Sequence, residues 1–76
     1  MTGDEMAESV YKIIELVGTS DDSWEAAVAA AVETASKSLR DLRIAEILKL
    51  DVQIEDGKVA AYRARINVSF KYERED

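Results

Sequence analysis

A chain of 76 residues holds one domain, and its formal net charge of -6 lacks the basic excess that nucleic-acid phosphates demand. It contains neither histidine nor cysteine, which excludes disulfides, the usual zinc ligands and the commonest general base and thiol nucleophile. A bound metal would have to be a hard, oxygen-ligated cation such as calcium or magnesium.

In chain order, residues 1–9 read as a disordered N-terminal extension and residues 73–76 as a charged tail, leaving a single domain over residues 10–72. Val10 to Val17 is apolar on both alternating sets, which predicts a strand with both faces at least partly covered. Gly18 to Asp22 reads as a loop. Asp22, with Glu25 three residues on, has the form of a helix cap. From there Trp24, Val28, Ala31, Ala35, Leu39 and Leu42 recur at steps of three and four, predicting a helix of about five turns with Arg40 and Arg43 at its C-terminal end. That spacing makes Trp24 a core or interface residue. No run approaches the roughly 18 apolar residues of a membrane span, and Met1 to Glu8 carries no apolar signal core. The protein is therefore expected to be soluble, unexported and cytoplasmic, without a membrane partner.

The second strand, Ile44 to Val52, and the third, Ala60 to Tyr72, flank Asp56-Gly57, a dipeptide suited to a type I′ hairpin turn. In the third strand Tyr62, Ala64, Ile66, Val68, Phe70 and Tyr72 alternate with polar residues, the period of a strand with one buried face. Counting back from a two-residue loop pairs Leu50 with Arg63, Leu48 with Arg65, Glu46 with Asn67 and Ile44 with Ser69. One face then holds Ala45, Ile47, Ala64, Ile66 and Val68, a coherent core surface. The other mixes Ile44, Leu48 and Leu50 with two arginines, too apolar for water and too charged for an interior, and so predicts a partner surface, a ligand, or both. The fold class is α+β, β-α-β-β: a three-stranded antiparallel-containing sheet, third strand between the other two, with one helix on one face.

Val10-Tyr11-Lys12-Ile13-Ile14-Glu15-Leu16-Val17-Gly18-Thr19-Ser20, Ser23-Trp24-Glu25-Ala26-Ala27, and Ile54-Glu55-Asp56-Gly57-Lys58-Val59 with Tyr62 and Val68-Ser69-Phe70 resemble the dodecin family. The resemblance runs from Val10 to about Tyr72. It implies a homododecamer, a hollow sphere with helices outward and sheets lining the interior, in which family members hold pairs of flavins between aromatic rings as stores or buffers. The family's flavin-stacking tryptophan falls at Ile44, and its flavin-binding glutamine at Arg63. Isoleucine offers no stacking plane, and a guanidinium donates but cannot accept. The pattern resembles a divergent branch termed calcium dodecin, with the usual clamp lost.

The positions of the family flavin site are Ile44, Glu46, Arg63 and Arg65, the candidate ligand-binding residues. The two arginines suit an anion or phosphate, or else pair with Glu46 or with acids of a neighbouring copy. Asp21 and Asp22, among the oxygens of Thr19 to Ser23, are the candidate calcium or magnesium ligands, short of the six to eight that calcium takes unless other copies contribute. Glu46 and Asp51 would ring a symmetry axis or bridge subunits. The expected function is a shell that binds, stores or buffers a small ligand or ion. The alternatives are flavin storage through a modified site, or a structural oligomer with no ligand. An enzyme is not expected, since nothing places two carboxylates around a pocket.

Overall fold

The computed structural model describes residues 8–72. The expected N-terminal extension falls largely, and the charged tail wholly, outside these residues. Four elements follow in order: β1 (Tyr11–Ser20), α1 (Trp24–Ser36), β2 (Leu42–Glu55) and β3 (Lys58–Lys71). The sheet order is β1-β3-β2, with β3 antiparallel to both neighbours. This is the topology that the alternation of the third strand and the Asp-Gly turn predict. Asp56 and Gly57 both take positive φ, 52° and 75°, as a type I′ turn requires.

β1 continues through Gly18, Thr19 and Ser20, where the sequence predicts a loop. Gly18 is fully paired, opposite Ala64. It is a glycine for reasons of space, because α1 lies directly over it: a Cβ there would sit 2.1 Å from the carbonyl oxygen of Ala27. Small residues run through this contact. Ala27, Ala31 and Ala35 are the buried residues of the helix, and with Ala64, Ile66 and Val68 of β3 they form the buried core.

The helix starts one residue later than Asp22 suggests and ends well before Leu42. Ser23 is the cap, its Oγ accepting the Ala26 N–H at 3.0 Å, while the Asp22 N–H donates to Ser20 Oγ at 2.9 Å. At the other end, Thr34, Ser36 and Ser38 hold the helix weakly, as hydroxyl side chains compete for backbone partners. The Ser36 hydroxyl indeed donates to the Glu33 carbonyl. Ser38 and Leu39 N–H both close on the Ala35 carbonyl, and Asp41 at φ 61° turns the chain into β2. Leu42 joins the core from a strand, Arg40 lies in the connection and Arg43 in β2, so neither arginine lies in the last turn of the helix.

The hairpin is not paired in one continuous register. Glu55 opposes Lys58 and Ile44 opposes Ser69, as a straight count from the turn requires, but the segment between them is shifted by one: Leu50 opposes Ala64 and Asp51 opposes Arg63. The shift enters at Ala60, which has no opposite number, and is undone at Leu48, a bulge on the other strand. A third irregularity follows at Arg43. The predicted pairs Leu50–Arg63 and Leu48–Arg65 therefore do not form, and Leu50 moves to the side of the sheet that carries Ala64.

A helix of 13 residues is about 20 Å long, whereas strands of 14 residues reach about 46 Å. The helix lies over β1 and β3 and barely reaches β2, where no residue is buried and only Leu42 and Val52 are half-buried. The result is an elongated body of 55 × 20 × 18 Å with a radius of gyration of 15.7 Å, against about 11 Å for a compact chain of this length. No helix among the described residues is long and apolar enough to cross a membrane.

Candidate functional site

The face of the sheet turned away from α1 is assembled by register. β1 contributes Tyr11, Ile13, Glu15, Val17 and Thr19. β3 contributes Lys71, Ser69, Asn67, Arg65 and Arg63 opposite them. β2 adds Ile44, Glu46, Lys49 and Asp51 from the far side. Its apolar members are not covered: Ile13 is 63% and Ile44 67% exposed. The expectation that both faces of β1 are at least partly covered holds in this chain only on the helix side.

The charges on this face are matched unevenly. Arg63 and Asp51 form a bidentate pair, Nε donating to Oδ1 at 2.7 Å and Nη2 to Oδ2 at 3.0 Å. Arg65 Nε lies 3.5 Å from a carboxylate oxygen of Glu15. The expected pairing of these arginines with Glu46 is thus replaced, within the chain, by Asp51 and Glu15; the one-residue shift is what carries Asp51 opposite Arg63. The hydrogen bond from Arg63 holds the Asp51 carboxyl below its ordinary range, helped by the positive charges of Arg63, Arg65 and Lys49 and opposed by some loss of hydration. The same hydrogen bond raises Arg63. Lys49 stands directly opposite Arg65, and its side chain has no ion-pair partner among the described residues.

The four predicted ligand residues share this face but not one spot. Ile44 lies opposite Ser69 and Glu46 opposite Asn67, whereas Arg63 lies opposite Asp51. Six residue steps along β3, from Ser69 to Arg63, separate the Ile44 and Arg63 positions, about 20 Å of strand. A single copy does not bring them together. Lys49 was not among the predicted residues, although the sequence carries its signal. The apolar positions Ala45, Ile47, Leu50 and Val52 step by two, then three, then two, and the odd step is the bulge that puts Lys49 and Asp51 on the arginine face.

Asp21 and Asp22 lie in the exposed bend between β1 and α1. Here Ser20 Oγ accepts the N–H groups of Asp22 and Ser23. No group of three or more acidic side chains suited to a metal ion occurs among the described residues. On the helix side, Trp24 joins the start of α1 to the hairpin: its indole N–H donates to the Asp51 carbonyl at 3.0 Å, and its ring meets Tyr62 edge-on with centroids 5.2 Å apart. An apolar groove of about 400 Å³ opens between the helix and β1, lined by residues that include Ile14, Leu16, Ala31, Ala35 and Leu39.

Residues 10–73 match the sequence profile of the Dodecin family. The calcium dodecin of Mycobacterium tuberculosis is 43% identical over 63 residues, covering 83% of this chain and 89% of that protein. Its crystal structure, described as a calcium chelating immunodominant antigen with a novel calcium-binding site, superposes with a TM-score of 0.77 at 42% identity over 90% of this chain and 97% of that one. The dodecin of Streptomyces coelicolor superposes with a TM-score of 0.87 at 38% identity, covering 92% of this chain and all of that chain.

Proposed function

The chain belongs to the dodecin family, and on that premise we propose that it closes into a homododecameric hollow shell whose inner wall is the open sheet face. The shell binds, stores or buffers a small ligand or an ion and does no catalysis. The observation that carries this reading is the 55 Å body whose sheet is covered by a helix less than half the length of its strands. Exposed Ile13, Val17 and Ile44 on one side, and Ile47, Leu50 and the groove along β1 on the other, exceed what a monomer of this size leaves to water. Sister copies cover them and add the stability that a 76-residue core lacks.

Assembly also supplies what one copy cannot. The Ile44 and Arg63 positions, some 20 Å apart in a chain, meet only across a subunit boundary. With Ile44 where a stacking ring would stand, the usual flavin clamp is lost. The relative described as calcium chelating supports an ion as cargo, and Asp21 and Asp22, joined by oxygens from neighbouring copies, are the ligands we assign to calcium or magnesium. Size-exclusion chromatography with light scattering, followed by calorimetry against calcium, magnesium and riboflavin, tests this. A dodecamer of the 8.5 kDa chain that is colourless and takes up a divalent cation is expected. A monodisperse monomer at micromolar concentration overturns the shell, a yellow preparation overturns the loss of the clamp, and a dodecamer silent toward all three overturns the ion assignment.

A further inference from the structure

The β2–β3 hairpin outruns the layer packed on it. β1 pairs with β3 only as far as Tyr62, opposite Ser20, so Lys58 to Ala61 are flanked by β2 alone, and Ile54 and Val59 are 64% and 51% exposed. The unpaired Ala60 divides this overhang from the rest of the ladder, leaving two pairs, Ile54 with Val59 and Glu55 with Lys58, to hold the turn. A two-stranded ribbon without a covering layer is marginal in water, and such an end opens locally. At its tip stands the chain's single Asp-Gly step. Both residues are exposed. The Asp56 carboxylate enters no ion pair or hydrogen bond among the described residues. The Gly57 N–H has no backbone partner among them, because a turn of this kind closes through the N–H of the residue that follows.

We propose that Asp56 and Gly57 form a self-modification site, at which the aspartate isomerises to isoaspartate through a cyclic imide. The Gly57 nitrogen attacks Asp56 Cγ, the protonated carboxyl loses its OH as water together with the amide proton, and a five-membered succinimide closes. Water then opens the ring. Attack at Cγ restores aspartate; attack at the main-chain carbonyl leaves the peptide bond on Cγ and frees the α-carboxylate. Nothing is oxidised or reduced, and the mass after reopening is unchanged. This turn meets each requirement of the step: an unengaged nitrogen with no side chain beside it, nothing within 4 Å of where a Cβ on Gly57 would stand, an unpaired carboxyl, and a segment that rotates once two pairs open. The other described aspartates each lack one. The nitrogens that would attack Asp21 and Asp22 are those of Asp22 and Ser23, both donating to Ser20 Oγ. Asp41 precedes the bulky Leu42, and Asp51 precedes β-branched Val52 within the ladder, its carboxylate held by Arg63. Isoaspartate lengthens the two-residue loop by one main-chain atom and keeps the number of carboxylates, so the mark is one of geometry and not of charge. Its free α-carboxylate is the group that isoaspartyl methyltransferases esterify from S-adenosylmethionine. The inference requires neither the shell nor a cargo.

The test is prolonged warm incubation of the purified protein at neutral pH, beside a synthetic peptide of residues 50–58, which is also the tryptic fragment between Lys49 and Lys58. The fragment is resolved by chromatography, mapped by electron-transfer fragmentation, and assayed for methyl acceptance with isoaspartyl methyltransferase and labelled S-adenosylmethionine. An isomer of unchanged mass is expected, located at residue 56 and not at residue 51, that takes up label. It should form at a rate within about tenfold of the peptide's, since opening of the tip is the barrier that the fold adds. Asp56→Asn should form it faster, with ammonia leaving in place of water, and Asp56→Glu should not, because its ring would need six members. A slower rate than that in the native protein, as when the tip is sheltered in an assembly, overturns the site. So does an isomer located at Asp51, or methyl acceptance by the fragment that persists in Asp56→Glu.

Discussion

Replacing Gly18 by alanine adds a single methyl group, and the structure makes it expensive. Its Cβ would lie 2.1 Å from the Ala27 carbonyl oxygen and 3.0 Å from both the Ala27 carbonyl carbon and the Ala31 Cβ. The nearest obstruction is backbone, which has no rotamer to escape into, so α1 must lift from β1 along the whole Ala27–Ala31 contact. Overfilling a packed site costs about 1–3 kcal/mol, and rigid backbone on one side puts Gly18→Ala toward the upper end. Against the roughly 3–5 kcal/mol of a core this small, that is most of the chain's own stability. At about 4–8 °C per kcal/mol for a domain of this size, a fall in Tm of roughly 10–20 °C follows, measured at one fixed chain concentration because the proposed assembly would make Tm concentration-dependent. Gly57→Ala is the comparison: nothing lies within 4 Å of its added methyl, and only the positive φ of 75° opposes it, a strain of about 1 kcal/mol. Equal losses in the two variants would refute the close helix–strand contact.

Three further outcomes are expected. Ser23→Ala removes the oxygen that accepts the Ala26 N–H and should cost about 1 kcal/mol of stability by denaturant unfolding, whereas Asp22→Ala should cost markedly less. Because the folded Asp51 has its pKa lowered from the ordinary 3.8, the stability it contributes is fully present above that value and is lost as pH falls below it through the folded pKa. Asp51→Asn should flatten stability measured across that acidic window relative to the native protein. Ile44→Trp restores a stacking plane and should make riboflavin binding detectable by fluorescence quenching where the native protein shows little, a ring contact contributing about 0.5–1.5 kcal/mol beyond buried area; tight quenching by the native protein would contradict the lost clamp.

The topology was legible because it rests on local signals of few alternatives: the long alternation from Tyr62 to Tyr72, and an Asp-Gly turn that takes the positive φ angles it suits. The spacing predicts too long a helix because Leu39 and Leu42 continue it in sequence, while Leu39 lies beyond the last helical turn and Leu42 packs on the core from a strand; periodicity cannot tell which element carries an apolar residue. Its cap was misplaced by one because Asp22 and Ser23 are both good cap residues, and only the hydrogen bond decides. The site suffered most from the hairpin bulges. A straight count puts leucines opposite the arginines; two single-residue slips of opposite sense put Asp51 and Lys49 there instead, and faces invert with every slip of one. Alternation puts Ile44 and Arg63 on one face but is silent on their separation, which the register sets at about 20 Å along β3.

The placement of the single tryptophan has an optical consequence. Its indole is tied to the Asp51 carbonyl and stands against the Tyr62 ring, where β2 and β3 carry Asp51 and Arg63 side by side. Emission from this one fluorophore therefore reads the junction between helix and hairpin without a label. Loosening at the bulges would register as a shift in colour or polarisation, and dilution could be followed by the same signal.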